Sequence, residues 1–454
     1  MDAFVETLVE WRPLAATVLG VVALLAMILV RQINAFSALL VATFGTGLLA
    51  GLAPDAVVTS VTQGMGGVLG FIAVIVGLGA LLGGYLEASG GAAALAQSLV
   101  GSREPSRASI AMGVVGSAIA IPVFFDVGLV LLFPLVASLA HTSGRPALYF
   151  GLPLLAGLAT AHAFIPPTPG PVAVAEILSA EIGLVILCGF AAGLPAMLIA
   201  GPLLTRALAS KGALPEGQVN LLEVRSEKVP ADPRLARRAI ASIGLPIILI
   251  VTGALAGPLG APPAMREAAE FIGHPFVALI IACGVTAVLL APCDQQERER
   301  RDDVLARALE PTAVILLVTG AGGAFKQVLV DTGAGAMLAE SLLGLGIAPL
   351  LAGFLLALVV RVAQGSATVA MLTAAGLTAP VAVEAGLPPI DLALLTIAIA
   401  SGASMASHVN DSGFWLVSRY FGLSSAETLR TWTLSSTFVG LTGFAVVLVL
   451  ALVF

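Results

Sequence analysis

Charged residues are so few and so bunched along this chain that most of it can be buried only in lipid. Asp, Glu, Lys and Arg make up 11% of its 454 residues, against about 25% in soluble domains. Between the charges lie stretches of about 17–25 apolar residues, the length that carries an α-helix across a bilayer. A transmembrane β-barrel would read instead as short alternating segments. The fold class expected is an all-α polytopic membrane protein. Pro13 to Val30 reads as a first span and not as a cleaved signal, because Arg31-Gln32-Ile33-Asn34 follows it without a small-residue cleavage pattern. Cys188, Cys283 and Cys293 have no paired spacing, so neither a disulfide framework nor a metal site is expected. The net charge of −6 identifies no partner other than membrane lipid, and no nucleic-acid signature is present.

The longest polar interruption runs from Arg206 to Arg238 and carries Lys211, Arg225, Lys228, Arg234 and Arg237. It divides the chain into an N-terminal repeat over 1–205, a cytoplasmic connecting loop over 206–238 and a C-terminal repeat over 239–454. Basic loops stay on the cytoplasmic side. A second charged loop is expected from Gln295 to Asp303, QQERERRDD. The two halves also resemble each other. GALLGGYLEASGGAAALAQSLVG from Gly79 and GGAFKQVLVDTGAGAMLAESLLG from Gly322 align at an offset of 243, with identities at Gly79/Gly322, Leu86/Leu329, Gly90/Gly333 and Leu95/Leu338 among others. The same offset lays Pro122–Asp126 on Gly365–Val369 and Pro166–Gly170 on Val409–Gly413. Basic residues follow the first span of one half, at Arg31, and the second span of the other, at Arg298–Arg307. That swap is what two repeats of opposite topology produce. Roughly 12–14 membrane segments follow from the length.

Two segments break the apolar pattern at membrane depth. HAFIPPTPGP, His162 to Pro171, carries four prolines between the apolar runs Tyr149–Ala161 and Val172–Leu178. Each proline removes a backbone donor and clashes with the preceding helical turn. SHVNDSGFW, Ser407 to Trp415, is its repeat mate. Non-helical backbone survives in a bilayer only inside protein or beside a water-filled cavity. Both segments therefore read as unwound points in discontinuous helices, whose exposed N-terminal ends attract anions and whose opposing carbonyls hold cations. PVFFDVG puts Asp126 among apolar residues, and QGSATVA offers Ser366 and Thr368 beside Gly365. An ionisable group within a span marks function by default, while small hydroxyl residues also serve helix packing. His162 and His408 flank the breaks, and histidine is the residue type suited to carry a proton near physiological pH; His141 and His274 fall in expected loops. Asn410 and Asp411 add an amide and an acid to the second break. Lys326 is either a substrate contact or a cation that snorkels to an interface.

No HExxH pair, GxSxG elbow or Walker phosphate loop is present, so an intramembrane enzyme is disfavoured. Taken together, HAFIPPTPGP, GGAFKQVLVDTGAG, GSATVA and SHVNDSGFW resemble segments of the gluconate permease (GntP) family, bacterial gluconate:proton symporters. The resemblance runs from FSALLVATFGTGLLAG to the C-terminal span. It implies a secondary transporter of the bacterial cytoplasmic (inner) membrane, built from inverted repeats with re-entrant hairpins and commonly dimeric. It implies a small anionic hydroxy acid as substrate: gluconate, a related sugar acid, D-serine or glycerate. Proton coupling is implied, with sodium left open and no other cofactor. Carried over to this chain, substrate binding falls to Thr168, Gly170, Ser366, Thr368, His408, Asn410 and Gly413. Proton coupling falls to Asp126, His162 or Asp411. Thr168 stands where the family often has histidine, Ser412 where proline is frequent and Asp126 where glutamate is frequent. Cation exchange without an organic substrate, and a channel, are the remaining alternatives within transport.

Overall fold

The computed structural model describes residues 2–29, 31, 33–100, 104–216, 232–257, 259–291, 294–310, 312–334, 337, 348–408 and 411–454, and among them it forms helices and no strand. The first half comprises α1 (Asp2–Leu29), α2 (Ala35–Ala50), α3 (Pro54–Ala88), α4 (Gly91–Val100), α5 (Pro105–Ala120), α6 (Phe125–Ser143), α7 (Leu148–Phe164), α8 (Pro169–Leu178) and α9 (Ile182–Ser210). The second comprises α10 (Pro233–Ala256), α11 (Pro263–Gly273), α12 (Pro275–Leu289), α13 (Gln295–Leu309), α14 (Thr312–Asp331), α15 (Pro349–Gln364), α16 (Ala367–Glu384), α17 (Pro389–Ser404), α18 (Ser412–Tyr420) and α19 (Ser425–Leu450). Proline opens α3, α5, α8, α10, α11, α12, α15 and α17. In the first turn its missing N–H has no intrahelical partner to lose. Much of the chain's proline therefore marks where helices begin.

One expected loop is a helix. Gln295–Asp303 forms most of α13. Nothing in QQERERRDD breaks a helix, Asp294 caps it by accepting from the Glu297 N–H at 2.8 Å, and Gln295 donates to Glu299 one turn on at 3.2 Å. Strong charge was mistaken for irregular backbone. His141 likewise lies in the last turn of α6, not in a loop, whereas His274 stands between α11 and α12, where its Nδ1 accepts from the Phe276 N–H.

Among the described residues six helices can cross a bilayer by length and composition, and eight if α6, bent by 43°, and the α11–α12 pair, bent by 65°, each count once. Shorter apolar helices such as Phe36–Ala50, Gly91–Val100 and Pro389–Ser404 fall below the length of a full crossing. Long and short helices alike carry apolar outer surfaces: Val41 and Leu48 on α2, Leu194 on α9, Ile248 on α10 and Val288 on α12 are all exposed. Apolar side chains belong outside where lipid replaces water.

The repeat seen in the sequence recurs in the helices. The starts of α15 to α19 follow those of α5 to α9 by 241 to 244 residues. Their packing repeats as well. α5 packs on α7 as α15 packs on α17, α7 on α9 as α17 on α19, and α6 on α7 as α16 on α17. Across the halves, α8 packs on α16 and α6 on α18. The expected all-α membrane fold with discontinuous helices is the one observed, and the order and packing of its helices repeat between the halves. α9 ends at Ser210 and α10 begins at Pro233, so 211–232 connects the halves, and 217–231 of that stretch lie outside the described residues.

The helices that lead to the two breaks are held by backbone contact. A Cβ on Gly157 of α7 would stand 2.1 Å from the Gly113 carbonyl of α5, and one on Gly402 of α17 would stand 2.1 Å from the Phe354 carbonyl of α15. Small residues are what let membrane helices approach this closely. Gly157→Ala and Gly402→Ala are each expected to cost about 1–3 kcal/mol through overpacking against backbone. Thermal unfolding of the purified variants checks this; unchanged midpoints would mean that the helices part at no cost.

Candidate functional site

Proline content turns His162–Pro171 into a break, as expected: α7 ends at Phe164 and α8 begins at Pro169. The two form one broken span, Leu148–Leu178, with 89% of its most apolar window buried inside the protein. That burial answers the requirement that irregular backbone at membrane depth be screened from lipid. In the second half α17 ends at Ser404 and α18 begins at Ser412. Between α15 and α16 a third break falls at Gly365, whose φ of 88° lies in the left-handed region. Glycine reaches that region without a Cβ clash, and its N–H closes α15 on the Arg361 carbonyl at 2.9 Å. A fourth break separates α5 from α6 at Ile121–Phe124.

All four half-helix N-termini open into one cavity of about 480 Å³. Phe125 and Asp126 bring the start of α6, Gly170 that of α8, Ser366 and Thr368 that of α16, and Ser412 and Gly413 that of α18. Helix N-termini carry unpaired N–H groups and about half a positive charge each. Four of them around one cavity make a site for an anion. His162, near the C-terminal end of α7, and Arg361, in the last turn of α15, line the same space.

Arg361, a charge within an apolar segment to which the sequence reading gave no role, supplies the cation. It is 4% exposed, its Nη2 donates to Asp411 Oδ2 at 2.5 Å, and its Nε donates to the Met405 carbonyl at 3.3 Å. Asp411 is also the N-cap of α18, where Oδ1 accepts from the Gly413 N–H at 3.0 Å. Its Oδ2 accepts in addition from the Ser407 hydroxyl. Ser407 in turn accepts from Trp432 Nε1 at 2.7 Å, and its N–H donates to Ser436 Oγ at 3.0 Å. Thr433 donates to the Ser407 carbonyl. The second break is thus braced by α19, at a π-turn over Leu429–Thr433 that turns Trp432 inward. Such turns gather at functional sites. Trp432 lies 5.5 Å from the Phe125 ring, ring centre to ring centre, across the two halves.

Of the residues expected to bind or couple, Asp126, His162, Gly170, Ser366, Thr368, Asp411 and Gly413 meet around the cavity. Thr168 does not line it: its hydroxyl donates to the Ile165 carbonyl at 2.6 Å and the residue faces a small side pocket with His162 and Pro122. His408 does not line it either, and its Nδ1 lies 2.8 Å from the Ala406 carbonyl. Asn410 lies outside the described residues. Lys326 sits apart and donates to the Ile177 carbonyl at the end of α8, where a cation suits the helix C-terminus. Arg361 was discoverable as the one arginine of an otherwise apolar segment, Pro349–Val362. Trp432 carried no comparable signal, since a tryptophan beside a span is ordinarily an interfacial anchor.

Ser366 caps α16 by accepting from the Val369 N–H at 3.3 Å. Ser366→Ala is expected to cost about 0.5–2 kcal/mol of stability, the usual loss for a cap, and to weaken substrate uptake. Midpoints of unfolding and initial uptake rates measured side by side would check both; an unaltered rate would remove Ser366 from the binding surface.

Residues 12–453 match the profile of the GntP family permease. The chain is 38% identical over 441 residues to the low-affinity gluconate transporter of Escherichia coli K12, covering 95% of this chain and 96% of that one. It is 36% identical over 438 residues to the Gnt-II system L-idonate transporter of the same organism, covering 96% and 98%. Among solved structures, the Alcanivorax borkumensis YdaH transporter, described as having an unusual topology, superposes with a TM-score of 0.66 at 17% identity, over 92% of this chain and 98% of that one. That likeness speaks for the fold. A cavity lined by half-helix N-termini, a membrane-spanning build and relatives that are transporters agree: this chain is a transport protein and belongs to the GntP permease family.

Proposed function

We propose that the protein is a secondary active transporter that imports gluconate or a related sugar acid together with a proton. The observation that carries the reading is the convergence of four half-helix N-termini and the Arg361 guanidinium on one cavity. Such a site attracts a carboxylate, and serine and threonine hydroxyls at Ser366, Thr368, Ser404 and Ser436 suit a polyhydroxylated body. The relatives support the same class, since one is named a gluconate transporter and another an L-idonate transporter. Two carboxylates and a histidine, Asp126, Asp411 and His162, face the cavity and are available to carry the coupled proton. The setting proposed is the bacterial cytoplasmic membrane, with the basic stretch 206–238 inside and, from the family resemblance, two copies assembled.

The test is uptake of radiolabelled gluconate into proteoliposomes under an acid-outside pH gradient in sodium-free buffer. Accumulation that collapses with a protonophore is the expected result. Uptake that needs sodium would reassign the coupling ion. No uptake of gluconate, and none of L-idonate, by folded protein would overturn the substrate class. L-Idonate competing with labelled gluconate at similar concentrations is expected, because the site recognises a carboxylate and hydroxyls.

A further inference from the structure

Arg361 and Asp411 form the most buried ion pair among the described residues, with side chains 5% and 13% exposed. Both groups line the cavity. We propose that this pair is the coupling device: the substrate carboxylate takes the guanidinium from Asp411, and Asp411 takes up the co-transported proton as it is released. The proposal rests on the reading of the protein as an anion:proton symporter. Arg361 stays charged throughout, as guanidinium does. The proton arrives from water and forms one O–H bond on the Asp411 carboxyl, while the substrate stays anionic. Before and after the exchange one carboxylate faces one guanidinium, so anion and proton enter together with no change in the site's net charge.

The local bonding favours such an exchange. Asp411 meets Arg361 through Oδ2, while Oδ1 is taken by the Gly413 N–H. A free carboxylate entering from the cavity can instead present both oxygens to the planar fork, the stronger arrangement. Ser407 now donates to Asp411 and accepts from Trp432. A hydroxyl both donates and accepts, so Ser407 can turn to accept from the protonated acid. The cap on Gly413 is kept in either state, because the acid's carbonyl oxygen still accepts.

Other titratable groups around Asp411 are placed differently. Asp126 enters from α6 and His162 from α7, both across the cavity, and neither has an ion-pair partner among the described residues. α19 brings Trp432, Thr433 and Ser436, and α16 brings Ser366 and Thr368, none of which titrates in this range. Within the second break His408 is bonded to the Ala406 carbonyl. The repeat gives a further contrast. At the offset of 243, Arg361 corresponds to Ala118 and Asp411 to Thr168, whose hydroxyl is satisfied by its own break. Each chain therefore holds the exchange pair once.

The deciding experiment counts protons taken up by the full-length purified protein in weakly buffered detergent solution as gluconate is added. Wild type is expected to take up about one proton per gluconate bound, and its gluconate affinity to fall about tenfold per pH unit on the alkaline side, as linkage requires. Asp411→Asn, which imitates the protonated acid, is expected to bind gluconate with no proton uptake, while Asp126→Asn still takes one up. Arg361→Lys keeps the charge without the fork and is expected to bind at least tenfold more weakly with the same proton count. Proton uptake by Asp411→Asn equal to wild type would overturn the proposal. So would wild type that binds gluconate with no proton uptake at any pH, a measurement that stands even where the variant fails to fold. In that case, pH-driven accumulation in proteoliposomes would leave the symport reading intact. Wild type that binds neither gluconate nor L-idonate would end that reading, and the proposal with it.

Discussion

Arg361→Ala is expected to abolish uptake and to lower stability by about 3–5 kcal/mol, the loss found when one partner of a buried ion pair is removed. The reason lies in what the substitution leaves behind. Asp411 would remain nearly buried, holding the α18 cap and the Ser407 bond, with no cation opposite. The Met405 carbonyl at the end of α17 would lose its donor as well. A damaged fold and a lost substrate contact have the same effect on uptake, so the single variant cannot separate them. The double variant Arg361→Ala/Asp411→Ala does. It removes the orphaned charge along with its partner, and neutral replacements of a buried pair are often well tolerated. Its unfolding midpoint is expected to recover most of the loss, while uptake stays at background. Recovery of both would show that the pair only holds α15 to the second break. Recovery of neither would place the damage in the cap and the Met405 contact. Comparing the two singles with the double measures the coupling directly.

How much of this could be read without coordinates differs from residue to residue. The two breaks were legible because proline and glycine act on the backbone alone: four prolines in His162–Pro171 forbid a continuous helix whatever surrounds them. The repeat was legible because a fold duplicated in sequence keeps its punctuation, and the starts of α8 and α18 fall at the same offset as the glycine-rich windows. Asp126 announced itself as a charge without polar neighbours. What could not be read was which polar groups share a space. Thr168 and Gly170 stand two residues apart, yet only Gly170 reaches the cavity, because Thr168 closes its own turn onto Ile165. Arg361 and Asp411 are 50 residues apart, and their pairing depends on how α15 lies against α17, which no local pattern encodes. The charged helix α13 was missed for a different reason. Its residues form a helix well once capped, and charge density says only that a segment is wet.

The exchange at Arg361 also sets a number on transport. Gluconate is an anion, and carrying one negative charge inward against 100 mV costs about 2.3 kcal/mol. If each gluconate brings one proton to Asp411, the pair crosses as a neutral unit and the membrane potential does no work on it. Proteoliposomes with a pH gradient alone, acid outside, are then expected to accumulate gluconate about tenfold per pH unit, since one unit is worth about 1.4 kcal/mol per proton. Vesicles given an inside-negative potassium diffusion potential of the same energy, with no pH difference, are expected to accumulate none. Were a second proton carried, on Asp126 or His162, the complex would be positive. Accumulation would then rise to about a hundredfold per pH unit, and a potential of about 60 mV would by itself drive a tenfold rise. A proton count of one is favoured by the site itself. Among its described residues Arg361 and Asp411 form the ion pair that an entering carboxylate can open, and opening it frees one carboxylate for one proton. Removing Asp411's charge in Asp411→Asn should therefore take the pH dependence from about tenfold per unit to none while labelled gluconate still exchanges across the membrane. A variant that continued to concentrate gluconate would move the coupled proton to the other side of the cavity.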